Sequence, residues 1–307
     1  RFTQPRADTT AFSVLTTQVR TALANQAAAP AFAFNQALTM ILGQNHPRRR
    51  ITTAATIDEW NLDQSLAFYK DRFADASDFT FVFVGSFDLP AIKPFIERYL
   101  GGLPSIHRNE TWKDIGAKLP TGVIEKKVEK GIEPMSRTVI LFTGPFEYDP
   151  EHRTALRAMT QILQTRLREI VREELGGTYS VTVGGGGQKT PNPEYQVAVQ
   201  FGSDPQRTDD LVKHIFSEIE TFKAGGPTEK QLNDEKEALQ REFQTSSEQN
   251  GYLLTQISGK YQFGEDVAGI WDAPDLYRKL DAAMIQQAAK TYLNMKNYVK
   301  VSLFPEK

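Results

Sequence analysis

The strongest constraint on the fold lies between residues 149 and 201. Asp149-Pro150 is a helix start, with proline in the first turn where its missing N–H is harmless. From there Leu156, Met159, Leu163, Leu167 and Ile170 recur at helical spacing and form one apolar stripe. Gly176-Gly177 ends the run. Two extended stretches follow, Thr178 to Gly184 and Tyr195 to Phe201. In the second, Tyr195, Val197, Val199 and Phe201 share one face. A one-faced helix beside a one-faced hairpin calls for helix-on-sheet packing.

The rest of the chain extends this pattern. Before the long helix, Val123 to Glu129 and Thr138 to Thr143 read as strands. After the hairpin come a helix over Asp209 to Phe222 and a break at Gly225-Gly226-Pro227. Thr228 to Gln231 then form a capping box that opens another long helix. Helix continues to Phe263, and two shorter helices cover Ala273–Leu280 and Ala282–Leu293. A last strand carries Val299, Val301 and Leu303 on one face. The expected fold class is α+β, a mainly antiparallel sheet with helices packed on one face.

The first hundred residues are organised differently. Residues 8–46 are helical and Ala-rich, interrupted at Pro30 and stopped by Gly43, Asn45 and Pro47. These helices have apolar faces but no sheet of their own. Residues 1–50 are therefore expected to be the trailing helices of a preceding, truncated domain, and 51–307 the main α+β domain. Ile57 to Phe73 reads as one helix. Phe79, Phe81 and Phe83 alternate with Thr80, Val82 and Val84, the pattern of a largely buried strand. A helix from Leu89 to Leu100 ends at Gly101-Gly102. The chain opens Arg1-Phe2-Thr3, with neither an initiator methionine nor a signal peptide, as a piece of a longer protein would.

Composition removes several function classes. The formal charge is −2 over 307 residues, so no basic field favours nucleic acid. Cysteine is absent, which excludes disulfides, thiol catalysis and cysteine-held metal. No apolar run reaches the ~18 residues of a membrane span.

The four histidines, His46, His107, His152 and His214, form no zinc motif. His107-Arg108-Asn109-Glu110 starts the inverted H-x-x-E-H pattern, but Thr111 stands where the second imidazole must be. His214 and Glu218 are four apart on a helix and read as a surface pair. No metal site is expected in this chain. Gly184-Gly185-Gly186-Gly187 invites comparison with a phosphate loop. It lacks the Gly-Lys-Ser/Thr that opens a helix and reads as a flexible hairpin tip.

One stretch carries chemistry. The long helix delivers Arg172 in its last turn, glycines reverse the chain, and Tyr179 follows seven positions on. A guanidinium and a phenol brought to one point could donate to a carbonyl oxygen that gains charge during attack. Spacing alone favours the plainer reading, with Arg172 as a helix C-terminal cation and Tyr179 as a half-buried strand aromatic.

Arg172-x-x-x-Gly176-x-x-Tyr179, followed by Ser180-Val181, resembles the arginine–tyrosine signature of the pitrilysin/insulinase family of zinc metallopeptidases. Phe68-Tyr69 through Gly85-Ser86-Phe87-Asp88 is similar to the opening of that family's C-terminal domain. Tyr99-Leu100-Gly101-Gly102-Leu103-Pro104 is similar to the segment closing its first helix. The likeness runs in order over about residues 51–307, and within the family it is nearest the PqqL-type bacterial periplasmic zinc proteases. The resemblance implies the metallopeptidase α/β roll, and it implies that this chain is the metal-free C-terminal half of a zinc endopeptidase. Zinc would then be bound outside it, by the N-terminal half of the same longer chain. No residue here would be catalytic in its own right, and the chain alone would be inactive. Arg172 and Tyr179 would bind substrate, a peptide or small protein, inside a closing chamber. The periplasm would be the location. The alternative is a non-catalytic peptide-binding or scaffold member of the same family.

Overall fold

The computed structural model describes residues 4–175 and 180–306, the side chains of 172–175 excepted. In chain order the elements are α1 (Thr9–Gln26), α2 (Pro30–Gly43), α3 (Ala54–Asp58), α4 (Leu62–Arg72) and α5 (Leu89–Tyr99). There follow β1 (Val123–Glu129), β2 (Ser136–Pro145), α6 (Pro150–Leu175), β3 (Val181–Gln188) and β4 (Glu194–Ser203). The chain closes with α7 (Thr208–Gly225), α8 (Glu229–Ser246), α9 (Asn250–Phe263), α10 (Ala273–Lys279), α11 (Ala282–Tyr292) and β5 (Tyr298–Phe304). Two compact units result. One gathers Arg1–Ala27, Thr52–Ile115 and Ser247–Val267; the other gathers Ala28–Ile51, Gly116–Ser246 and Ala268–Lys307.

The first unit is helical among its described residues. Three of its helices start at acidic or amide caps: Asp8 accepts from the Ala11 N–H, Asn61 from Gln64 and Asp88 from Ala91. The single helix expected over Ile57–Phe73 is instead two, α3 and α4. Asn61 is a better N-cap than a helix-interior residue, so it restarts the helix. Buried Asp75 accepts three backbone N–H bonds, from Ser77, Ile106 and Arg108, and so ties the 104–108 loop to the end of α4. Burial pulls its pKa upward, but the backbone donors outweigh that and hold the carboxyl well below its ordinary range.

The strand expected over Phe79–Val84 is not formed. Alternation provides a face, but a strand also needs a ladder partner for its N–H and C=O groups. The described residues of this unit contain no second strand. Phe81 and Phe83 remain 39% and 49% exposed.

The second unit holds a five-stranded sheet in the order β1-β5-β2-β4-β3. β1 and β5 pair in parallel; the other pairs are antiparallel. This is the α+β, mainly antiparallel class read from the sequence. Side chains alternate across the sheet with period two. From β2, Ile140 and Phe142 enter the core shared with α6, α7 and α11, while Val139 and Leu141 face the other way. Tyr195, Val197, Val199 and Phe201 of β4 all enter the helical core, as their spacing predicts. On the opposite face α2 lays Phe34 against Val139, Leu141, Val299 and Val301. The main helical layer thus occupies one face, and a single helix from earlier in the chain adds to the other.

The stripe on α6 is buried as read: Leu156, Met159, Leu163 and Leu167 are sealed, and Ile170 packs at the margin. Each such side chain contributes about 1.5–3 kcal/mol relative to exposure. The capping box before α8 is reciprocal. The Thr228 N–H donates to Gln231 Oε1 at 3.0 Å, and the Gln231 N–H donates to Thr228 Oγ1 at 3.2 Å.

Glu235 on α8 is half-buried, and its carboxyl is pushed up to about 7. Burial is the main cause and neighbouring Glu242 adds to it, while Arg157 opposes. Arg157 is itself paired with Glu242. The folded state therefore holds a proton that the unfolded chain releases near its ordinary value of about 4.3. Stability from this site is fully present below that value and is lost as pH rises through about 7. A shift of this size corresponds to ~3 kcal/mol, and solvent access cuts the effect to about 1–2 kcal/mol. Glu235→Gln is expected to match the parent near pH 4 and to exceed its unfolding free energy by that amount at pH 8. Denaturant titrations of both proteins at the two pH values check this; an equal gap at both would refute it.

Candidate functional site

The stretch between α6 and β3 is positioned by both neighbours. Leu167 and Val171 are buried against the sheet, which fixes the last turns of α6. Gln164, one turn earlier, reaches β3 directly. Its Nε2 donates to the Val181 carbonyl at 2.9 Å, and the Val183 N–H donates to its Oε1 at 2.5 Å. One amide thus satisfies both a donor and an acceptor on an edge strand, where such groups otherwise lie unpaired. Arg172 is in the final turn of α6, one residue past Val171. Its side chain, and Tyr179 as a whole, lie outside the described residues, and so does the distance between them.

The glycine run is not a hairpin tip. Gly184, Gly185, Gly186 and Gly187 lie inside β3 and pair with Ala198, Val197, Gln196 and Tyr195 of β4. The turn comes later, between Gln188 and Glu194. Glycine has no side chain with which to signal strand alternation, so the pattern seemed to end too early. A Cβ on Gly187 would stand 2.1 Å from Phe146 Cε1, and one on Gly185 would stand 2.8 Å from the Gln196 carbonyl oxygen. Gly184 and Gly186 face open space. Close neighbours thus account for Gly185 and Gly187.

The histidines divide by environment. His46 accepts the Arg48 N–H at Nδ1 and caps a short helical turn. Glu110, the acid of the incomplete zinc pattern, is engaged by Arg72 and Arg108. Glu218 pairs with Arg166, whose guanidinium also reaches Gln231 and lies 5.1 Å from the centre of the Phe222 ring. Neither sequence pair makes a metal centre.

His152 is the exception, and sequence spacing alone did not single it out. Asp149 caps α6 by accepting the His152 N–H at 2.8 Å, and its second oxygen meets His152 Nδ1 at 2.5 Å. Burial raises the Asp149 pKa, but these bonds from His152 bring it below its ordinary range. His152 Nε2 lies 3.7 Å from Glu147. Ligand atoms of Glu147, Asp149 and His152 all fall within 4.8 Å of one another. The signal available beforehand was Glu147-x-Asp149-x-x-His152 across a loop–helix junction. Beside this group lies a cleft of about 590 Å³ between the start of α6 and α11.

No helix among the described residues is long and apolar enough to cross a membrane.

Comparison with known proteins gives a consistent picture. A family model described as the peptidase M16 inactive domain matches residues 59–239. A zinc protease PQQL-like protein of Arabidopsis thaliana is 27% identical over 212 residues, which is 64% of this chain and 22% of that protein. The crystal structure of the periplasmic protease PqqL from Escherichia coli superposes with a TM-score of 0.82 at 21% identity, covering 96% of this chain and 33% of that one. The first half of the same protease, solved separately, superposes with a TM-score of 0.74 at 14% identity over 99% of this chain and 68% of that one. At those identities the structural matches speak for the fold. The matched part is about a fifth to a quarter of the length of the curated relatives.

Proposed function

The chain belongs to the peptidase M16 inactive domain family, and from that premise we propose that it is the substrate-clamping, metal-free half of a zinc-dependent endopeptidase. The observation that carries this reading is the match to the inactive domain over 59–239, in a chain whose sequence holds neither H-E-x-x-H nor H-x-x-E-H. Its fold superposes on the first half of PqqL as well as on the whole protease. That is the pattern expected when two like halves face one another, only one of which needs the metal. Zinc, held by the other half, would polarise the scissile carbonyl and activate water. The residues of this chain would bind and orient the peptide. Arg172 and Tyr179 are the proposed contacts, with Gln164 fixing the edge strand that follows them. The exposed Phe81 and Phe83 support a further part of the proposal, that the helical unit is completed by polypeptide outside this chain. The periplasm is the proposed compartment, by likeness to PqqL.

The test separates the halves. Metal analysis of this chain alone is expected to find no stoichiometric zinc. A quenched-fluorescence peptide is expected to be cut only when the chain is joined to the zinc-bearing half. Stoichiometric zinc in the chain alone, or cleavage by it alone, would overturn the proposal. No cleavage by a full-length protein with an intact zinc motif would favour a scaffold role instead.

A further inference from the structure

The cleft between α6 and α11 has two chemically distinct parts. Its wall is mainly apolar: Ala155 from α6, and Met284, Ala288 and Tyr292 from α11, with Gln287 and Thr291, bonded to each other, beside them. Its rim near the start of α6 carries Glu147, Glu151 and His152. Asp149 Oδ2 meets His152 Nδ1 at 2.5 Å, and the ring's Nε2 faces Glu147 at 3.7 Å. The carboxylates of Glu147 and Glu151 make this rim acidic. Tyr292 records the same field: burial first, then Asp149 and Glu147, push its hydroxyl up to about 12.

We infer that this cleft binds a peptide segment bearing an arginine or lysine next to an apolar residue. A basic side chain has an aliphatic stem for the apolar wall and donors without acceptors for the rim. A guanidinium, with five donors in a planar fork, suits a rim that carries the carboxylates of Glu147 and Glu151. At about 590 Å³ the cleft lies within the range of sites for small ligands and holds more than one side chain. A metal ion fits less well. Of the cluster Glu147, Asp149 and His152, both Asp149 oxygens are already used by His152, which leaves two ligands where ordinary zinc sites have three or four. The choice of a peptide as occupant draws on the proposed peptidase role. The site itself lies apart in sequence from Arg172 and Tyr179.

The probes are N-acetyl-leucyl-arginine amide and its citrulline counterpart, which keeps the shape and removes the charge. Methyl NMR of residues 1–307 labelled at methionine would follow Met284. The arginine peptide is expected to shift Met284 with at least tenfold tighter binding than the citrulline peptide. The double variant Glu147→Gln/Glu151→Gln, at two exposed positions, is expected to erase that preference, and Tyr179→Phe to leave it intact. The last comparison separates failure of this site from failure of the proposed peptidase role. Equal binding of the two peptides, or a preference that survives the double variant, would overturn the inference. So would saturable zinc binding lost in His152→Ala without any response to the peptides.

Discussion

Tyr179→Phe, in the full-length protein, is expected to lower kcat/KM for peptide cleavage roughly ten- to a thousandfold, and Arg172→Ala by a similar factor. The range corresponds to ~1.4–4 kcal/mol, the loss found when one donor to a developing oxyanion is removed. Tyr179→Phe deletes one oxygen and leaves the ring, so a packing role would survive it and a hydrogen-bonding role would not. Where the fall appears is also informative. Removing a donor that meets the oxygen only as it gains charge lowers kcat, whereas removing one that merely holds the bound peptide raises KM. If both groups serve one oxygen, the double variant should lose less than the product of the single losses. The competing structural role for Arg172 is a cation at the C-terminal end of α6, worth about 0.3–1 kcal/mol of stability and nothing in rate. Denaturation of the Arg172→Ala chain measures that part separately. Unchanged cleavage by both variants would remove Arg172 and Tyr179 from the proposed site.

What could be read from the sequence follows from how each element is stabilised. α6 and β4 were legible because each buries a single face, and burial imposes a period that side chains display. The ends of β3 were not, since Gly184 to Gly187 display nothing; only the ladder to β4 reveals that they are strand. Phe79–Val84 is the reverse case. It has the alternation but, among the described residues of its unit, lacks the partner that would make it a strand. Asn61 divided an expected helix because local capping outweighed continuous propensity. The Arg172–Tyr179 pair was visible through resemblance; spacing by itself favoured a plain structural role. The cleft at His152 was hidden for a different reason. Its rim comes from the loop before α6 and its wall from α11, far along the chain, so no local window contains both.

The four glycines of β3 are expected to respond to alanine in alternation. Gly184 and Gly186 face open space and neither has a positive φ, so an added methyl meets no neighbour. Alanine there should be neutral, or stabilising by about 0.4–1 kcal/mol through reduced freedom of the unfolded chain. A Cβ at Gly185 or Gly187 would instead meet close neighbours. At Gly185 the new Cβ would press on the Gln196 backbone carbonyl, which the ladder holds in place. At Gly187 it would enter the ring of Phe146, which is buried and flanked by the rings of Tyr148 and Tyr292, with centroids 6.2 and 5.6 Å away. The ring has nowhere to go without moving those two. Gly187→Ala should therefore cost about 3 kcal/mol, the upper end for overpacking a filled core. Adding Phe146→Leu should recover part of that loss, because the two positions compete for one volume and their effects cannot add. Denaturant unfolding of the four single variants and the one double variant measures the pattern. A phosphate-binding or freely hinged glycine run predicts no such alternation, and equal losses at all four positions would mean that β3 does not sit in this register.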